Sequence, residues 1–143
     1  MFARISAALA IATVLSGSAW AETFEVQMLN RGEEGTMVFE PSFIQIAPGD
    51  TVKFIATDKS HNAQSVDEMI PEGAEPFVGK INQEVDITPE VPGVYVVKCN
   101  PHFAMGMVMT IAVGEEAQAP EGFLEHRLPR NAKKRLEEQL SNL

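Results

Sequence analysis

A second cysteine is missing from this chain. Cys99 stands alone among 143 residues, so no intramolecular disulfide can form and no dithiol pair can cycle between oxidised and reduced states. The Cys-x-x-Cys-His attachment of a c-type haem is absent for the same reason. Positive charge is also short, with 11 Lys and Arg against 20 Asp and Glu. A chain this acidic is repelled by nucleic acid and by anionic membrane, which excludes both as partners. Long apolar runs are missing as well. The only one, Ile5 to Leu15, is shorter than the roughly 20 apolar residues that a bilayer-spanning helix requires.

That run has a different meaning. Arg4 precedes it, and small residues follow it up to Ala19-Trp20-Ala21. A basic start, an apolar centre and an A-x-A site predict a secretory signal peptide over residues 1–21. Cleavage after Ala21 leaves 122 of the 143 residues, enough for one domain with its own core, and the loss of Arg4 takes the formal charge from −9 to −10. Exported proteins usually use cysteines in pairs. A lone thiol in that compartment is either a small buried hydrophobe or a group with a task, and its neighbours decide which.

From Phe24 to Thr110 the pattern is that of β-structure. Phe24 to Met28 alternates apolar and polar residues, Phe39 and Phe43 to Ile46 continue the alternation, and Thr51 to Ile55 follows the turn Pro48-Gly49-Asp50. Gln83 to Ile87, Val94 to Val97 and Met107 to Val113 complete the set. Short strands between Gly and Pro turns predict an all-β sandwich or barrel over residues 22–114. The stretch Ala56 to Lys80 is irregular and long enough to hold a functional loop. Residues 115–143 are predicted as a helical extension packed on the sandwich. Phe123 to Leu128 forms one short helix ended by Pro129, and Ala132 to Leu140, capped by Asn131, forms a second with Leu136 and Leu140 on one face.

The chemistry concentrates between two strands. Cys99-Asn100-Pro101-His102-Phe103-Ala104-Met105-Gly106-Met107 carries a thiol, an imidazole and two thioethers within nine residues. Thiolate and imidazole with a weak thioether suit a soft metal that changes oxidation state, and His₂Cys with a long axial Met is the blue-copper arrangement. The second histidine must come from elsewhere. His126 lies beside Glu125 and Arg127 in the helical segment and reads as a solvated residue, whereas His61 follows a strand end by a short turn. His61, Cys99 and His102 are therefore the predicted equatorial ligands, and either Met105 or Met107 is the axial one. A Cys–His nucleophile would need a base and an orienting group that the loop does not offer. Structural zinc gains little from thioether, and a dinuclear copper site would need another cysteine. A copper chaperone would need an exposed, exchangeable site rather than one assembled from distant segments.

At this loop, and at Asp58-Lys59-Ser60-His61-Asn62 and Met69-Ile70-Pro71-Glu72-Gly73-Ala74, the chain resembles the cupredoxins, and among them the pseudoazurins. The spacing Cys-x2-His-x4-Met matches that group's ligand loop. The resemblance thus implies Met107 as the axial ligand, since the shorter spacing that would select Met105 belongs to amicyanin-like loops. It implies an eight-stranded Greek-key sandwich with two short C-terminal α-helices, and one copper ion per chain cycling between Cu(I) and Cu(II). The implied role is non-enzymatic: a periplasmic, monomeric shuttle passing electrons from a cytochrome donor to nitrite reductase or a similar denitrification enzyme. It also implies that Asn62 bonds near the thiolate, that Pro101 withholds an N–H from the sulfur, and that Met37 lies close to His102. An apolar patch including Met105 would surround His102, within a ring formed by Arg31, Lys59, Lys80 and Lys98. Val78 stands where some relatives have a further lysine, which would weaken that ring.

Overall fold

A computed structural model describes residues 19–143; the signal-peptide expectation, apart from its last three residues, lies outside the described residues. Eight strands follow in chain order: β1 (Thr23–Gly32), β2 (Gly35–Glu40), β3 (Phe43–Ile46), β4 (Thr51–Ile55), β5 (Gln64–Ser65), β6 (Val85–Ile87), β7 (Gly93–Lys98) and β8 (Val108–Val113). They form two four-stranded sheets of order β2-β1-β4-β6 and β3-β8-β7-β5. Pairs β1/β4 and β3/β8 are parallel. Parallel neighbours cannot be joined by a tight turn, so the chain crosses between sheets in Greek-key fashion.

The alternation seen in the sequence builds the core. Val26 and Met28 of β1, Val52 and Phe54 of β4 and Ile44 and Ile46 of β3 are buried while their neighbours face outward. β7 and β8 depart from alternation because both of their faces are covered, one by the opposite sheet and the other by the C-terminal segment. Every residue of β8 is buried. Two apolar clusters result. The first lies between the sheets and contains Phe39, Phe54, Tyr95, Cys99, Met107 and Met109. The second holds Val94, Val96 and Val108 on the outer face against Phe123, Ala132 and Leu136.

The C-terminal segment corrects one expectation. Only one α-helix forms, α1 (Arg130–Leu140), and Pro129 rather than Asn131 stands at its N-cap. The helix expected over Phe123 to Leu128 is a single 3₁₀ turn, Phe123–Glu125, entered through Gly122 at φ 74° and left through an extended His126. With a left-handed residue in front and Pro129 behind, that stretch has no room for a second helical turn. Helix α1 docks through Ala132 and Leu136 and through the buried Gln139, which donates to Val108 O (3.0 Å) and accepts from Thr110 Oγ1 (2.9 Å). The irregular stretch after β4 also contains the two-residue strand β5, which is too short to leave a periodic signal.

This architecture positions the site by bringing three chain ends together. β4 ends at Ile55, β7 ends at Lys98 and β8 starts at Val108, all at the end of the sandwich toward which β1 runs past Asn30.

Candidate metal centre

Strand β7 delivers Cys99 to the rim. Its backbone N–H donates to Met107 O (3.0 Å), which closes the ligand loop as a widened hairpin. Inside it, Asn100–Met105 winds as 3₁₀ turns broken at His102, whose φ/ψ of −117°, 17° swings the imidazole out of the helical path. The turn ends at Gly106 in the left-handed region (φ 91°), and the next residue, Met107, points back into the core. A β-carbon at Gly106 would also sit 3.0 Å from the Asn131 backbone, so both its dihedral and its neighbour require glycine.

His61 arrives from the other sheet and is fully buried. The loop before it is pinned to β1. Asp58 N–H donates to Met28 O (3.1 Å), and Asp58 Oδ2 accepts from Asn30 N–H (2.7 Å). The His61 ring is oriented by Asn30, whose Oδ1 lies 2.8 Å from His61 Nε2. An amide oxygen only accepts, so Nε2 carries the proton and Nδ1 presents a lone pair. Burial pushes the His61 pKa down, nearby His102 adds to that, and Asp58 opposes it, so the ring is neutral at neutral pH. Burying this imidazole carries a desolvation penalty, which the bond to Asn30 offsets by about 1 kcal/mol.

What Nδ1 faces is the decisive feature. It lies 3.1 Å from His102 Nδ1 and 3.7 Å from Cys99 Sγ, and His102 Nδ1 lies 3.5 Å from the same sulfur. Three such groups have little reason to converge for their own sake, since two imidazole lone pairs facing each other repel. A point in their plane about 2 Å from all three atoms sits at metal–imidazole bonding distance, slightly inside a metal–thiolate bond. The donor set therefore fits a metal ion, and its soft sulfur and two imidazoles fit copper. Burial pushes the Cys99 thiol pKa up, and the backbone N–H groups of Asn62 and His102 act the other way.

The remaining candidate residues divide clearly. Met107 is fully buried in the same cluster as Cys99, whereas Met105 is 49% exposed. Asn62 ties the segment before β5 to the ligand loop after β7: its Oδ1 accepts from Asn100 N–H (2.7 Å), and its Nδ2 donates to Gln64 Oε1 (3.0 Å) and Gly79 O (3.1 Å). Met37, half-buried at φ 50°, packs on the cluster that contains Cys99 and Met107. Pro101 is exposed on the loop, and Arg31, Lys59 and Lys80 are exposed on their own segments. Lys98 is half-buried, with its ammonium 4.9 Å above the Phe103 ring. His126 is exposed, far along the chain from the cluster. Sequence reasoning missed Asn30. It is one polar residue on a strand whose contact with His61 spans 31 positions, and no local pattern marks such a contact.

Comparison with known proteins agrees with this geometry. The family described as copper binding proteins, plastocyanin/azurin family, matches residues 26–114. The pseudoazurin of Paracoccus pantotrophus is 42% identical over 139 residues, covering 97% of this chain and 96% of its own. A putative pseudoazurin of Rhizobium leguminosarum bv. viciae is 44% identical over 128 residues, covering 90% and 84% respectively. The crystal structure of pseudoazurin from Methylobacterium extorquens superposes with a TM-score of 0.79 at 36% identity, over 84% of this chain and 98% of that one. The chain belongs to the pseudoazurins.

This pseudoazurin-family chain is a copper electron-transfer protein of the cupredoxin class, and the convergent Nδ1, Nδ1 and Sγ atoms are a donor set that could hold its metal ion. Among the described residues no helix is long and apolar enough to cross a membrane.

Proposed function

We propose that the chain is a periplasmic shuttle that carries one electron at a time from a cytochrome to a denitrification enzyme such as nitrite reductase. His61, Cys99, His102 and Met107 would hold the copper. The observation that carries this reading is the triangle of two imidazole lone pairs and one sulfur, preformed with sides of 3.1, 3.5 and 3.7 Å. When bound, copper supplies a one-electron couple between Cu(I) and Cu(II).

The residues of the chain do the rest. Asn30 locks the tautomer of His61, Asn62 locks the Asn100 backbone to the segment that carries His61 into β5, and the Cys99–Met107 backbone hydrogen bond closes the loop. Ligands held from three directions cannot relax freely between the geometries that the two oxidation states prefer. A small rearrangement means a low barrier to electron transfer. His102 is the one ligand that is only half-buried, so its ring edge is the natural exit for the electron, and the exposed Pro101, Ala104 and Met105 beside it form a surface that can be desolvated briefly by a partner.

Arg31, Lys59 and Lys80 are solvated near this face, while the surface depressions at the opposite end of the sandwich are lined by Glu75, Glu90, Glu115 and Glu121 among other residues. This uneven charge supports steering of an acidic partner onto the His102 face by a monomeric carrier, which raises on-rate more than affinity. Lys98 contributes less than its position in the sequence implies, because its ammonium rests on Phe103. Reversing Lys59 and Lys80 to glutamate is expected to lower the second-order rate with an acidic copper nitrite reductase at low ionic strength by about tenfold or more. The salt dependence should flatten at the same time. Stopped-flow rates that match the unmodified protein at every salt concentration would contradict the steering.

A further inference from the structure

One side chain of helix α1 is hydrogen-bonded to the copper loop. Arg135 Nη1 donates to Met37 O (2.6 Å) and to Gly106 O (2.8 Å), and Nη2 donates to Thr36 O (2.7 Å). No carboxylate shares this guanidinium, since among the described residues the one ion pair is Lys53 with Glu84. A cation committed to three backbone carbonyls is unusual, because an exposed arginine normally settles on an acid or on water. The carbonyls are also informative. Met37 and Gly106 are both in the left-handed region, at φ 50° and 91°. For Met37, a residue with a β-carbon, that conformation persists only where surrounding structure enforces it.

These two residues come from opposite sides of the site. Gly106 is the turn from which the chain passes to Met107, buried in the same cluster as Cys99. Met37 packs on the same cluster from β2, 69 positions earlier in the chain. One nitrogen of Arg135 bridges them. Asn131, one helical turn before Arg135, presses on Gly106 so closely that a β-carbon there would lie 3.0 Å from it. The helix therefore holds the loop by contact at its start and by hydrogen bonds one turn later.

We propose that Arg135 is a positioning residue of the copper site. Its guanidinium fixes the Gly106 turn against the Met37 turn, and so sets where Met107 stands relative to Cys99. The C-terminal helix thereby belongs to the metal centre rather than only to the core. The proposal rests on Met107 as the axial ligand. The planar fork matters as much as the charge: three carbonyl oxygens on two nitrogens match a guanidinium, and a single ammonium on a flexible stem cannot span them.

The test compares four full-length proteins: the unmodified chain, Arg135→Met, Arg135→Lys and Gln139→Leu. Gln139 anchors the same helix to β8 but bonds no loop residue, so its variant reports helix docking alone. In the copper-free proteins, hydrogen exchange at the Gly106 and Met107 amides, which bond Phe103 O and His102 O, is expected to accelerate about tenfold or more in Arg135→Met. Arg135→Lys should move in the same direction despite keeping the charge. Gln139→Leu should lower the melting temperature and leave both amides at their original rates. In the Cu(II) proteins, the position or intensity of the visible absorption should change for both Arg135 variants and not for Gln139→Leu. Equal melting losses in Arg135→Met and Gln139→Leu, with loop amides and visible absorption unchanged in both, would overturn the proposal. Should Arg135→Met not fold, unaltered loop exchange in Arg135→Lys would overturn it equally. If the unmodified protein binds copper without an intense visible band, the ligand reading fails, and the exchange rates still decide whether Arg135 clamps the loop.

Discussion

Serine in place of Cys99 is expected to abolish the intense visible absorption of the Cu(II) protein while leaving the sandwich folded. The band requires a thiolate that can donate electron density to the metal. A serine oxygen is a harder donor and stays protonated at neutral pH. The fold should survive because the change is nearly isosteric. Cys99 is fully buried in the inter-sheet cluster, and a hydroxyl there costs about 1–3 kcal/mol. Its proton can be donated to an imidazole Nδ1, since both already lie within 3.7 Å of the sulfur. That loss is a fraction of the roughly 5–15 kcal/mol that stabilises a domain of this size. Absorption and circular dichroism melting on the same sample read both halves of the expectation. A variant that remains strongly coloured would remove Cys99 from the site.

Glutamine in place of Met107 should lower the reduction potential. An amide oxygen is a harder donor than a thioether and favours Cu(II), and axial donors tune the potential of such sites. For a one-electron couple, each tenfold shift in relative affinity is about 59 mV, and a fall of at least that size is expected. The side chain is fully buried, so the variant also melts earlier, having a polar amide in an apolar cluster. The same change at Met105, half in solvent, should leave the potential within a few millivolts, far below the 59 mV step. Cyclic voltammetry of the pair distinguishes them. A fall at Met105 with none at Met107 would reverse the assignment of the axial ligand.

Different parts of the account were legible to different degrees, for physical reasons. β1, β3 and β4 alternate because one face of each meets the opposite sheet and the other meets water, and that pattern is written locally. The convergence of Cys99 and His102 was legible because one short loop carries both, and that of His61 because it was the remaining histidine at a strand end. Asn30 and Arg135 were not legible. Each acts across the fold on a partner at least 29 positions away, and an asparagine on a strand or an arginine on a helix looks like solvated surface until the chain closes. The helix expected over Phe123 to Leu128 failed because an apolar-rich stretch suggests a periodic face, while the left-handed Gly122 and the following Pro129 leave room for one 3₁₀ turn. Lys98, expected in the basic ring on resemblance, has its ammonium resting on Phe103, a contact set by how the loop folds back on β7.

The central claim is that the His61–Cys99–His102 triangle holds one redox-active copper. The most direct test is a visible spectrum of the protein titrated with Cu(II) and then treated with ascorbate. An intense band that saturates at one copper per chain, bleaches on reduction and returns on reoxidation is the predicted result. A weak band, a stoichiometry other than one, or colour lost irreversibly as copper oxidises Cys99 would contradict it.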